Sequence, residues 1–155
     1  MVTSVDVRFQ ERYWYPDDGG QVWVAGYHVV DGDRYLGRDA PELAERGLRV
    51  AGVAGAAQHH AAVLASDAAA PGKPLELRRD PANAHDANAI MVLAGGEQAG
   101  WVPRELAAEL APLLDAGEAW SAVVLRERRD SPRDPRTGLT MLLARGGEIE
   151  LRQLG

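Results

Sequence analysis

Val5, Val7 and Phe9 alternate with Asp6 and Arg8, a period of two that predicts a half-buried strand. Tyr13-Trp14-Tyr15 continues in residues that favour extended backbone, and Val22 to Val30 forms a second apolar run. Between them Pro16-Asp17-Asp18-Gly19-Gly20 has the composition of a turn, so the two runs predict an N-terminal hairpin. Asp31-Gly32-Asp33 breaks the second run. Asp39, with Pro41 in the first turn and Glu42 three residues on, then predicts a capped short helix that Gly47 would end.

Leu48 to Gly55 sets Val50 and Val53 among small residues, the pattern of a tightly packed strand. Alanine dominates residues 56–70 and predicts a helix around Gln58 to Ala65, punctuated by Pro71-Gly72. Leu75 to Arg79 alternates as a strand, and Asp80-Pro81-Ala82-Asn83 turns the chain. Ala89 to Leu93 and Gln98 to Val102 predict a hairpin across Gly95-Gly96. After Pro103, Leu106, Leu110, Leu113 and Leu114 fall at i, i+4, i+7 and i+8, one apolar stripe of a helix. Pro112 interrupts it and predicts a kink or restart. Trp120 to Leu125, Leu139 to Ala144 and Ile149 to Leu154 read as strands, with a polar loop from Arg126 to Arg136 between the first two. Many short strands at close spacing, with two or three short helices and no internal repeat, predict an α+β chain built on a small β-barrel.

A length of 155 residues suits one domain, and 46% hydrophobic with 26% charged residues is the balance of a folded chain. No run approaches the roughly 20 apolar residues of a membrane span. The opening Met1 to Asp6 lacks the basic flank and apolar core of a signal peptide, so a cytoplasmic protein with no membrane partner is expected. The chain has no cysteine, which excludes disulfides, thiolate zinc sites and thiol nucleophiles. Its net charge of −6 weighs against indiscriminate nucleic-acid binding, which draws on counterion release by Lys and Arg. The charge is uneven, however: residues 118–155 hold seven arginines against six acids.

Catalytic chemistry finds little support. Ser4, Ser66, Ser121 and Ser131 lie in no Gly-x-Ser-x-Gly elbow, and no Walker-type glycine loop occurs. His59, His60, His85 and Asp86 could in principle offer zinc ligands, but adjacent histidines on a helix point about 100° apart and no His-Glu-x-x-His spacing is present. The expectation is a binding module with no catalytic residue, no metal and no cofactor.

The densest signal runs from Arg79 to Ile90 and resumes at Gly100-Trp101-Val102-Pro103-Arg104. By itself the first part is a polar loop in which Asn83, Asp86 and Asn88 cap neighbouring amides, or a site in which they meet a ligand. Trp101 packs on the leucine stripe or faces a base, and Arg104 is a solvated first-turn residue or a phosphate contact.

Val53-Ala54-Gly55, His59-His60, Arg79-Asp80-Pro81, His85-Asp86-Ala87-Asn88-Ala89-Ile90 and Gly100-Trp101-Val102-Pro103-Arg104 together resemble a HIRAN domain, over roughly residues 48–117. The resemblance implies an OB-like barrel over 48–155, with 1–47 as an added hairpin and short helix. It also implies a non-catalytic module for single-stranded DNA, particularly a free 3′ end. In some relatives such a domain is joined to Swi/Snf-type remodelling ATPases, so a separate helicase or nuclease chain is an expected partner. Carried over by position, Asp86 would meet the terminal hydroxyl. His59, His85 and Trp101 would stack on bases, Arg104 would contact phosphate, and Asn83 the backbone. Histidine occupies both aromatic positions here, and Ala56-Ala57 stand where DNA-binding relatives carry a basic residue. A protein-interaction domain that keeps the fold and has lost DNA binding is the alternative.

Overall fold

The computed structural model describes residues 2–15 and 20–155; the expected turn at Pro16 to Gly20 lies, apart from Gly20, outside them. The architecture is mostly β with few helices. Its centre is an antiparallel pair, β8 (Trp120–Arg129) and β9 (Gly138–Arg145), with β4 (Leu48–Gly52) on the free edge of β9. These strands are apolar at successive positions because both of their faces are covered. Ala122, Val124, Leu139, Met141 and Leu143 enter one core with Ile90, Val92 and Leu110. Val123, Leu125, Leu142 and Ala144 enter a second core with Val5, Val7, Val29 and Leu43.

Two groups of strands share the other edge of β8. Its first half pairs with β5 (Pro74–Arg79), which continues antiparallel into β6 (Ile90–Ala94) and β7 (Glu97–Trp101). Its second half pairs with β2 (Val22–Asp31), which carries the two-residue β3 (Arg34–Tyr35) and pairs antiparallel with β1 (Val2–Trp14). The start of β1 pairs in parallel with β10 (Glu148–Gln153). Where the two groups part, a Cβ at Gly26 would sit 2.2 Å from the Leu125 carbonyl oxygen, at φ +143°. No side chain fits there.

The expected closed barrel needs correction. β7 reaches the β4 segment only through an isolated antiparallel bridge between Ala54 and Trp101, with N–H···O bonds of 2.8 and 2.9 Å. The backbone leaves the β4 ladder after Gly52, so no continuous pairing closes the sheet, and its strand order is β10-β1-β2-β8-β5-β6-β7 with β9 and β4 branching from β8.

Three further expectations change. The first helix, α1 (Pro41–Glu45), starts from Ala40 with no side-chain cap, so Asp39 does not cap it. The alanine-rich segment is two single turns, α2 (Ala56–His59) and α3 (Ala61–Leu64), broken at His60 (φ −135°, ψ 37°) and followed by a 3-10 turn at Asp67–Ala69. An unbroken helix would set Ala56 and Ala69 about 140° apart, yet both are buried in one core. The last helix, α4 (Arg104–Asp115), runs through Pro112 without restarting. The amide missing at Pro112 deprives the carbonyl of Ala108, an exposed position where solvent can satisfy it. The helix buries Ala107, Leu110 and Ala111, with Leu106, Leu113 and Leu114 partly buried around them.

Candidate nucleic-acid interface

The loop between β5 and β6 is held by its own side chains. The Asn83 Oδ1 accepts from the amides of His85 at 2.9 Å and Asp86 at 3.0 Å, and its Nδ2 donates to Asp80 Oδ2 at 3.2 Å. The Asn83 side-chain carbonyl thereby shapes the turn. The Asp86 Oδ1 accepts from the Asn88 amide at 2.9 Å. Its Oδ2 lies 3.8 Å from the Nε of Arg104 and accepts no hydrogen bond among the described residues. Asp86 is thus both a turn cap and a half-free carboxylate, its side chain 23% exposed, while the Arg104 side chain is 80% exposed.

Arg79 fixes the loop from the end of β5. It donates to the carbonyls of Ala89 at 2.7 Å and Ala87 at 2.9 Å and forms a forked pair with Asp115 of α4. Those bonds to Asp115 raise the Arg79 pKa and lower that of Asp115 below the usual carboxylate range. Sequence reasoning quoted Arg79 in the motif without seeing this role. A guanidinium's fork is suited to gathering two carbonyls and a carboxylate, but the sequence separation of Asp115 hides the pairing.

The second group of motif residues converges on Gly55, which begins α2 at φ +72°. A Cβ there would lie 3.4 Å from Cδ1 of Trp101 and 3.8 Å from Cδ2 of His59. The Ala54–Trp101 bridge sets this convergence, and Arg104 follows three residues later in the first turn of α4. His59 and His85 are exposed and Trp101 is half-buried. Among the described residues, neither His85 nor Trp101 pairs with another ring. The fold therefore brings Asp86 to Arg104 and His59 to Trp101.

A separate cleft of about 680 Å³ opens where β1 and β2 face the ends of β8 and β9, walled in part by Gly52, Val53, Gly55 and Ala56. Its basic lining comes from Arg12, Arg38, Arg126 and Arg128. The sequence reading put Arg126 to Arg129 in a polar loop, but β8 carries them as strand. Glu127 turns inward there, buried, with Arg129 Nε at 2.8 Å and Arg136 Nε at 2.5 Å. Burial would raise its pKa, but the hydrogen bonds from Arg129 and Arg136 outweigh this and hold it low. Arg136 also donates to the carbonyls of Leu64 and Ser66, tying the loop to α3. Among the described residues, no group of three or more His, Asp or Glu side chains could hold a metal, and no helix is long and apolar enough to cross a membrane.

The family model of the HIRAN domain matches residues 50–143. A Fanconi-associated nuclease 1 homolog of Oryza sativa subsp. japonica is 52% identical over 48 residues, covering 28% of this chain and 5% of that protein. This chain thus spans a small fraction of that relative's length. A solved protein structure from Lactobacillus plantarum superposes with a TM-score of 0.51 at 22% identity, over 62% of this chain and 89% of that one, a likeness of fold. The HIRAN domain of human HLTF matches with a TM-score of 0.47 at 25% identity, over 64% of this chain and 77% of that one.

Proposed function

This chain belongs to the HIRAN domain family, whose members are DNA-binding modules, and from that premise we propose that it holds single-stranded DNA at a free 3′ end without cutting it. The observation that carries the reading is the half-free carboxylate of Asp86, with one oxygen tied to the loop and the other facing an exposed guanidinium. A terminal 3′ hydroxyl would donate to that second oxygen in a charge-assisted hydrogen bond. A 3′ phosphate would bring negative charge against negative charge. Arg104 would neutralise the last phosphodiester beside it, and Asn83 would keep the loop in shape. His59, Trp101 and His85 would offer faces to the terminal bases, where stacking contributes about 1–3 kcal/mol per base.

In this reading the DNA end lies across the Ala54–Trp101 bridge, between the β4 segment and β7. The nuclease-like relative, though matched over a short stretch, supports a setting in DNA processing. Exposed Tyr13, Trp14 and Tyr15 near the end of β1 favour a second reading, a surface for another protein.

Fluorescence anisotropy separates the two. A short strand with a 3′ hydroxyl is expected to bind about tenfold tighter than the same strand ending in a 3′ phosphate, or than a duplex end. Asp86→Ala should erase that preference in a folded protein. Equal binding of all three probes, or none at physiological salt, rejects end recognition.

A further inference from the structure

The cleft between β1, β2 and the ends of β8 and β9 carries an anomaly of charge. In the described residues, nearly every other arginine has a carboxylate within ion-pairing distance, from Arg8 with Asp33 to Arg152 with Asp6. Arg12, Arg38, Arg126 and Arg128 have none there, and all four line this cleft. The carboxylate in the wall, Glu127, is already held by Arg129 and Arg136. On a chain of net charge −6, four guanidiniums lining one hollow, none paired with a carboxylate among the described residues, make it locally positive.

We infer that this cleft is a second contact for a nucleic-acid strand, gripping the phosphodiester backbone on the 5′ side of the nucleotide held at Asp86. The inference rests on the single-stranded DNA reading above, but on different residues. Arg12 and Arg38 lie outside residues 50–143, so the N-terminal segment supplies part of the grip that the family's own region lacks.

Arg126 is half-buried and donates through Nη1 to the Tyr27 carbonyl at 2.8 Å, which orients its guanidinium without neutralising it. Burial, and then Arg38, lower its pKa. His28, at 3.5 Å from the same Nη1, is pushed down to about 4 by burial, then by Arg126 and Arg12. Both shifts report a positive field concentrated in a partly desolvated hollow, where an anion gains most. Arg128 lies over the Trp14 ring at 5.9 Å, and Trp14 is 45% exposed. An aromatic face beside phosphate-binding cations suits a nucleotide better than an acidic peptide, which brings no ring to stack. The wall contributed by Gly55 and Ala56 joins the cleft to the segment that carries His59 towards Trp101, so one strand can reach both places.

The test uses the double variant Arg12→Gln/Arg128→Gln, two exposed positions whose loss leaves both cores intact, and a 12-residue oligothymidylate with a 3′ hydroxyl. Affinity should fall about tenfold. The slope of log affinity against log salt should become shallower by about 1.4, as expected for two lost contacts on a single strand. The preference for 3′ hydroxyl over 3′ phosphate should survive. Asp86→Ala should show the reverse: the slope kept and the preference lost. An unchanged slope in the double variant overturns the groove whatever Asp86→Ala does. A wild type with no end preference but a shallower slope in the double variant leaves the groove standing and removes the end site. Displacement of the oligonucleotide by poly-glutamate at equal charge concentration also overturns the assignment, because the cleft would then take any polyanion. As a second readout, the His28 pKa followed by NMR should rise on adding the oligonucleotide; no movement contradicts phosphate in the cleft.

Discussion

His28 concentrates the local physics of the cleft in one ring. It sits edge-on to Tyr35 at 5.9 Å and faces Arg126, and its pKa is lowered from 6.5 to about 4. Above pH 6.5 the ring is neutral in both the folded and the unfolded chain and favours neither. Between 6.5 and about 4 the unfolded chain takes up a proton that the folded one refuses. Stability should therefore fall as pH drops through that window, and urea midpoints for His28→Gln should lack this decline. A wild-type midpoint flat from pH 6.5 to 4.5 would contradict the lowered pKa that burial, and then Arg126 and Arg12, impose on the ring. Asp86 and Glu127 mark two extremes at this scale. One carboxylate keeps an oxygen open towards an exposed guanidinium; the other is sealed between two arginines and serves the fold.

At the scale of elements, contacts between strands hinge on small residues. A Cβ at Gly100 would lie 2.4 Å from the Ala54 carbonyl oxygen and 2.6 Å from Val53 Cγ1, so Gly100→Ala must push β7 away from the β4 segment. A loss of at least about 2 kcal/mol in urea denaturation is expected, with weaker DNA binding as the Ala54–Trp101 bridge opens. A neutral substitution would mean that the bridge does not position Trp101. Much of this level was legible in the sequence. Alternation at Val5 to Phe9, the Gly95-Gly96 turn and the leucine stripe after Pro103 each predict the element observed, because each is local. What stayed hidden was non-local. The break at His60 answers to where Ala56 and Ala69 must be buried, not to alanine's helix propensity. Arg126 to Arg129 look like a polar loop in sequence. They are strand because β2 and β9 pair with them on both edges and Glu127 finds Arg136 across the turn. The self-capping of the motif loop is legible in its Asn and Asp spacing, but the hydrogen bonds that tie Asn83 to Asp80, His85 and Asp86 needed coordinates.

The whole molecule is two cores back to back across β4, β8 and β9. Val123, Leu125 and Leu142 are buried in the core that Val5, Val7, Val29 and Leu43 complete. The described residues before 48, with Ile149 and Leu151 of β10, thus cover the second face of the central strands. A chain of residues 48–155 alone would uncover that face, and it should aggregate or give a poorly dispersed NMR spectrum where the full chain gives a dispersed one. A well-folded fragment would show that the N-terminal segment is an appendage. The same segment brings Arg12 and Arg38 to the cleft, so on this account packing and ligand grip come from one stretch of chain. On this account the net charge of −6 would act as a filter, repelling DNA except at the arginines that line the cleft. The most direct test of the account is a proton–nitrogen NMR titration of the full chain at physiological salt with a short single strand ending in a 3′ hydroxyl. Shifts should concentrate at His85, Asp86, Asn88 and the Trp101 indole, and be much smaller at the same strand concentration when the strand ends in a 3′ phosphate. No shift at those positions, or the same shifts with either ending, would contradict the account.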